Sequence, residues 1–174
     1  MTDDTSTLSP KRSGEVRPEL VDATIRLRPG GLAWRRTFPG RLEQVSRARR
    51  FVRFLLEDSP LGDDLELIVA ELAANAVVHT SSGELGGTFI VEVTRKPQII
   101  RIPVYDCGWG GTPSFTQRKG DELAERQRGL AIVAALASRV GFRGTQAIGH
   151  AVWAELLTTD PETSNRDLAS RNQS

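Results

Sequence analysis

Residues 88–106, TFIVEVTRKPQIIRIPVYD, limit what this chain can fold into more than any other stretch. TFIVEVTR (88–95) and QIIRIPVYD (98–106) each alternate apolar and polar residues, and only a KP turn separates them. Period-two alternation marks strands with one face on a core, and two of them joined this tightly form an antiparallel hairpin. Pro103 interrupts the second strand, where a central position needs a backbone donor that proline lacks. The strand is therefore expected to lie at a sheet edge there, or to bulge at Pro103.

The other elements follow from similar signals. ATIRLR (23–28) is an edge-strand candidate, PGG (29–31) a turn, and AWRRTF (33–38) a second short strand. From 39 to 59 the pattern turns helical, with Leu42, Val45, Ala48, Val52, Leu55 and Leu56 at three- and four-residue steps. Arg47, Arg49, Arg50 and Arg53 fall elsewhere on that helix, as a solvated face or a partner-binding surface. After SPLGDD a second helix runs from about Asp63 to His79, its apolar set being Leu65, Ile68, Val69, Leu72 and Ala76. SSGELGG (81–87) links it to the hairpin. Residues 107–129 have no clean period and read as a long functional loop, followed by a third helix over 128–140 entered through a glycine. GFRGTQAIGHAVWAELL (141–157) supplies two last strands around a turn. This order predicts an α+β fold: a two-layer sandwich with a mixed, mostly antiparallel sheet and helices on one face. The helices are too few, and the hairpins too many, for a doubly wound sheet.

Composition narrows the class. Of 174 residues, 39% are hydrophobic and 26% charged, which is a soluble globular balance. The formal charge of +1 gives no bulk electrostatic reason to bind nucleic acid, although it leaves room for a local basic patch. No apolar run is long enough for a membrane span, and the N-terminus lacks the apolar segment of a signal peptide. The single cysteine, Cys107, excludes an internal disulfide, and one thiol with two histidines makes a protein-only metal site a poor prospect. A cytoplasmic protein is expected. Residues 1–20 and 159–174 are polar and read as disordered tails around one domain over 21–158.

ELAANAVVHT (71–80) raises the functional question. At about 100° per residue, Glu71, Asn75 and His79 step round the helix by roughly 40° each, forming one polar ridge beside the apolar stripe. Ala74 and Val78 flank it, unlike the long charged chains of an ordinary solvated face. VYDCGWGG then ends a strand in Asp106 and enters Gly108, Gly110 and Gly111. A carboxylate at a strand end can accept from an exocyclic amine, and glycines beside it let backbone approach a flat ligand. RQRGLAIVAALA sets Arg128 and Gly129 at a helix entrance, where free N–H groups and a guanidinium suit phosphate oxygens. Each signal is weak alone; all three occur in order at sensible junctions. No GxxxxGK[ST] exists, so a Walker-type phosphate loop is absent.

Together these boxes resemble the Bergerat-fold (GHKL) ATPases, which include gyrase, sensor histidine kinases and MutL. The chain is most similar to the anti-sigma factor serine kinases of the RsbW and SpoIIAB kind, in their Streptomyces-like actinobacterial form. FPGRLEQVSRARRFV, DDLELIVAELAANAVVHT, VYDCGWGGTP, RGLAIVAALASRVGFR and GHAVWAEL carry the resemblance, over roughly residues 37–157. It implies ATP and Mg²⁺ as cofactors. By resemblance, Glu71 is the general-base or water-orienting glutamate, Asn75 the Mg²⁺ ligand and His79 the last position of the same box. Asp106 would receive the adenine amino group, with Gly108 and Gly110 beneath the adenine and at the start of the lid. Arg128, Gly129 and Leu130 belong to the second glycine box, near the phosphates. One amide oxygen suffices for Mg²⁺, which takes phosphates and waters for its other positions.

The family implies an anti-sigma factor that sequesters a sigma factor and is released by a STAS-type anti-anti-sigma protein whose serine it phosphorylates. A possible homodimer is also implied, while the charge balance and the lack of a long apolar run predict no direct nucleic-acid contact and no membrane association. The pattern is broken at Gln127, where the family's GRGL has its first glycine. Trp109 fills a variable position, to pack on ligand or partner or to anchor the lid, and Cys107 is expected as a small buried residue. The alternatives are a switch module that binds ATP without transferring phosphate, an orphan histidine-kinase catalytic domain, and a structural protein with no nucleotide.

Overall fold

Alternating side chains in the strands and three-four spacing in the helices build the two layers that the sequence predicts. The computed structural model describes residues 17–115 and 123–158. Among the described residues six strands form one sheet: β1 (Ala23–Arg28), β2 (Gly31–Pro39), β3 (Thr88–Lys96), β4 (Ile99–Tyr105), β5 (Arg139–Thr145) and β6 (Gly149–Leu157). Their order is β1-β2-β3-β4-β6-β5, and each of the described pairings is antiparallel. The helices α1 (Val45–Leu55), α2 (Gly62–His79) and α3 (Leu123–Leu136) form the second layer. Among the described residues, no helix is long and apolar enough to cross a membrane.

The core lies between the layers. Phe89, Val91 and Val93 of β3, Ile100, Ile102 and Val104 of β4, and Val152, Ala154 and Leu156 of β6 point inward on alternate positions. They meet Ala48, Phe51 and Val52 of α1 and Leu65, Ile68, Val69, Leu72, Ala73 and Ala76 of α2. Phe38 stacks on Phe89 with centroids 5.3 Å apart and meets Phe51 edge-on at 6.1 Å, geometries favoured by the ring quadrupole. Asp63 and Asp64 occupy the first turn of α2, where negative charge suits the helix dipole. Of the α1 arginines, Arg49 and Arg53 are paired with Glu66 of α2, and Arg53 also with Asp63.

Three local expectations are corrected. Pro103 is neither at an edge nor in a bulge, because β4 lies between β3 and β6 with Pro103 opposite Trp153. On the β3 side one register holds from Ile90 opposite Tyr105 to Lys96 opposite Ile99, but the ladder omits Glu92 and Val93. The sheet thus absorbs the missing donor as a local gap between intact rungs. The third helix starts at Leu123 rather than near Arg128, because LAERQ consists of good helix formers that extend it backwards. It also stops at Leu136, and Arg139 and Val140 join β5. Finally, part of the expected N-terminal tail is structured: Pro18–Leu20 form a 3₁₀ turn, and Leu20 packs on the core. The rest of that tail, residues 159–174 and residues 116–122 of the expected lid lie outside the described residues.

At the end of the sheet away from Tyr105, Arg95 donates to both Asp58 oxygens at 2.7 and 2.8 Å. These bonds hold the Asp58 carboxyl below the usual carboxylate range. A depressed folded-state pKa stabilises the fold above the unfolded pKa, and the contribution fades as pH falls through the folded one. The pair is exposed, so Asp58→Asn is expected to cost less than about 1 kcal/mol in urea denaturation at neutral pH. The wild-type and variant stabilities should converge in acid.

Candidate functional site

The C-terminal half of α2, the end of β4 and the loop after it enclose a cleft of about 550 Å³. That size suits a small-molecule ligand. Asn75, His79, Asp106, Gly110 and Leu130 line it, together with Thr80, Trp109 and Pro113 among others. Asn75 and His79 of the expected ridge on α2 therefore open onto the same space as the strand-end aspartate. Asn75 and His79 are half-buried, while Leu72 and Ala76 of the same helix are sealed in the core.

Asp106 is the most firmly held of these residues. Its side chain is only 5% exposed, and Oδ1 accepts from the Gly108 N–H at 2.8 Å and the His150 N–H at 2.9 Å. In return, the Asp106 N–H donates to the His150 carbonyl at 2.9 Å. Oδ2 takes no hydrogen bond from any described residue and is left for a donor in the cleft. Behind the carboxylate, the His150 ring is 4% exposed, with Nδ1 3.8 Å from Oδ1 and without a hydrogen-bond partner among the described residues. Phe142 meets that ring edge-on at 6.0 Å.

The loop after Asp106 is tied down by its backbone. The Gly108 carbonyl accepts from the Ser81 N–H at 2.8 Å, and the Trp109 N–H donates to the Gln146 carbonyl at 2.7 Å. The Cys107 N–H donates to Oγ of the buried Ser82 at 2.9 Å. Gly108 and Trp109 both adopt left-handed conformations, at φ 78° and 59°. Trp109 is 71% exposed at the cleft rim and so is free to meet a ligand or partner. Cys107 is exposed rather than buried, its thiol donating to the Thr88 carbonyl at 3.2 Å.

The glycines work differently from the expectation. Gly108 is buried away from the cleft, where a Cβ would strike the Gln146 carbonyl and the Gly149 backbone. Gly110 does line the cleft, but its missing side chain makes room for the His79 carbonyl. Both permit protein backbone to come close. Arg128 and Gly129 are not at a helix entrance: they lie inside α3, where backbone N–H groups take partners in the preceding turn. Gly129 faces Glu71, whose Oε2 would collide with a Cβ at that position. Glu71 therefore sits against α3 and is not part of the cleft lining, and neither is Arg128.

Thr80, Ser82 and His150 were not among the candidates. Thr80 caps the turn after α2, donating to the Ala76 carbonyl at 2.6 Å and accepting from the Ser82 N–H at 3.1 Å. Its TSSG context was the available signal, since Thr and Ser favour such caps. For Ser82 and His150 no local pattern exists.

The domain is thus a two-layer α+β fold with a cleft between the end of a central strand and a helix ridge. A family model for the histidine kinase-like ATPase domain matches residues 38–155, more than half of the chain, and the chain belongs to that family. It is thus a GHKL domain, a class that binds ATP with Mg²⁺. Comparison with curated proteins gives no match.

The residues present fit such a ligand. Asp106 offers an unengaged carboxylate oxygen at the cleft, and Asn75 an amide oxygen. No cluster of three or more His, Cys, Asp or Glu able to hold a metal exists among the described residues. Mg²⁺ bound largely through phosphates and waters needs none.

Proposed function

We propose that this domain is an ATP-controlled regulator: an anti-sigma factor with serine/threonine kinase activity toward a STAS-type anti-anti-sigma protein. The observation that carries the nucleotide reading is Asp106, buried, fixed through Oδ1 and open at Oδ2 toward the cleft. In this reading Oδ2 accepts from the adenine amino group and sets the base in register. Asn75 holds Mg²⁺ beside the phosphates, and His79 and Leu130 border the bound nucleotide. Bound Mg-ATP supplies the transferable phosphoryl group with its charge partly neutralised. Glu71 orients the acceptor hydroxyl and takes its proton. The sigma factor and the STAS partner come from the resemblance of the α2, Asp106 and α3 segments to the anti-sigma kinases.

One observation favours a second reading. Glu71 lies against Gly129 and is not among the residues that line the cleft. A switch module would bind ATP and set partner affinity without moving phosphate. Incubation of the purified chain with γ-labelled ATP, Mg²⁺ and a serine-bearing STAS protein separates the two. The kinase reading expects label on the serine, lost in Glu71→Gln while ATP affinity is retained. ATP binding with no transfer to the serine supports the switch module. Absence of binding at millimolar ATP sinks both.

A further inference from the structure

The helices cover one face of the sheet, and among the described residues no element covers the other. Register places its side chains. β1 contributes Arg26 and Arg28, β5 Arg139 and Arg143, and the strands between them Arg35, Lys96 and Arg101. The carboxylates on this face are Glu92 and Glu155. Both are largely buried, at 7% and 13% exposure, beneath arginines that remain open. Arg28 lies 3.7 Å from Glu92, while Arg101 and Arg139 lie 2.9 and 3.5 Å from Glu155. The whole chain carries only +1, so the basic excess here is a local concentration. A hollow of about 290 Å³ lined by Arg28, Lys96, Ile99 and Arg101 lies within this face.

Apolar groups complete it. Ile90, Ile99, Tyr105 and Trp153 are half-buried, and Leu157 is exposed. Arg35 lies 4.9 Å from the Tyr105 ring centre and Arg101 4.0 Å from that of Trp153. These contacts hold the guanidinium groups in place before anything binds, which lowers the ordering cost of recognition. Arginine with aromatic residues over a partly apolar floor is the composition of a protein interface. With strands about 4.8 Å apart and about 3.3 Å per residue, the face measures roughly 700 Å². That is close to the roughly 800 Å² each partner gives to a standard interface.

We propose that the open sheet face is a docking surface for the acidic face of another protein, separate from the nucleotide cleft. Single-stranded nucleic acid is the weaker fit, because it needs uncovered aromatic rings for stacking and both rings already carry an arginine. A second copy is opposed by charge, since a two-fold pairing of this face sets positive against positive.

The test uses a fluorescein-labelled peptide of about twenty residues, rich in Asp and Glu, titrated with the full chain by fluorescence anisotropy at about 50 mM salt. A labelled oligo-dT of similar length is titrated beside it. Arg26→Glu with Arg143→Glu changes two exposed arginines of the face. Arg47→Glu with Arg50→Glu makes the same charge change on the helix side. The expected result is at least about a tenfold loss of peptide affinity in the first pair and less than about twofold in the second, with oligo-dT weaker than the peptide. Equal losses in both pairs, tighter binding of oligo-dT, or no peptide binding to the wild type would each overturn the proposal. Circular dichroism melts check folding. If the glutamate pair on the face unfolds, Arg26→Gln with Arg143→Gln is used instead and must still weaken the peptide more than Arg47→Gln with Arg50→Gln.

Discussion

Asp106→Asn is expected to weaken ATP binding about a hundredfold to a thousandfold without unfolding the domain. The substitution keeps an oxygen for the Gly108 and His150 N–H groups, which donate to Oδ1 at 2.8 and 2.9 Å. The loop and the start of β6 therefore keep their anchor. At the position of Oδ2, however, an NH₂ replaces an acceptor. If the adenine amino group is the partner, two donors then face one another in a buried site. Loss of a charge-assisted bond and stranding of a donor together cost about 3–4 kcal/mol, or two to three decades in Kd. Calorimetric titration with ATP, with and without Mg²⁺, measures this directly, and an unchanged melting temperature shows that the fold survives. Retained affinity in the variant would mean that adenine does not bind through Asp106.

Gly108→Ala is expected to damage both stability and binding. The residue has φ 78°, where an L side chain costs about 1–2 kcal/mol, and its Cβ would lie 2.8 Å from the Gly149 nitrogen and overlap the Gln146 carbonyl. Both obstacles are backbone, so relief requires moving the β5–β6 turn. A total of about 2–4 kcal/mol in urea denaturation follows. Because the Gly108 N–H also holds Asp106, ATP affinity should fall with it. Gly111→Ala is the control: no described residue lies within 4 Å of a Cβ placed there, and the change should stay within about 0.5 kcal/mol.

The legible parts of this protein are those in which one side chain after another repeats a period. The alternation in 88–95 and 98–106 states which face of β3 and β4 meets the core, and Leu65, Ile68, Val69, Leu72 and Ala76 do the same for α2. From the second pattern, the ridge of Asn75 and His79 beside the apolar stripe followed directly, and both line the cleft. The start of α3 was hidden because LAERQ has helix propensity without an apolar period. Pro103 misled because a residue rule cannot see that intact pairs on both sides hold the register. Glycines 108 and 110 were visible as glycines, but what they accommodate is decided by the Gln146 and His79 carbonyls, which arrive through tertiary structure. The clamp on Asp106 joins positions 44 residues apart, and that of Ser82 on Cys107 joins positions 25 apart. No local pattern encodes such meetings.

The edge strand β1 gives the basic face a second consequence. Among the described residues β1 pairs only with β2, so its outer row of backbone donors and acceptors has no ladder partner. Ile25 and Leu27 are 62% and 86% exposed on one side of that row, a combination that invites another strand to add on. Arg26 and Arg28 alternate with them, and a second β1 aligned across the edge would bring like charges side by side. These arginines act as gatekeepers against open-ended sheet growth. A chain stripped of them would gain a sticky seam as well as lose a docking surface.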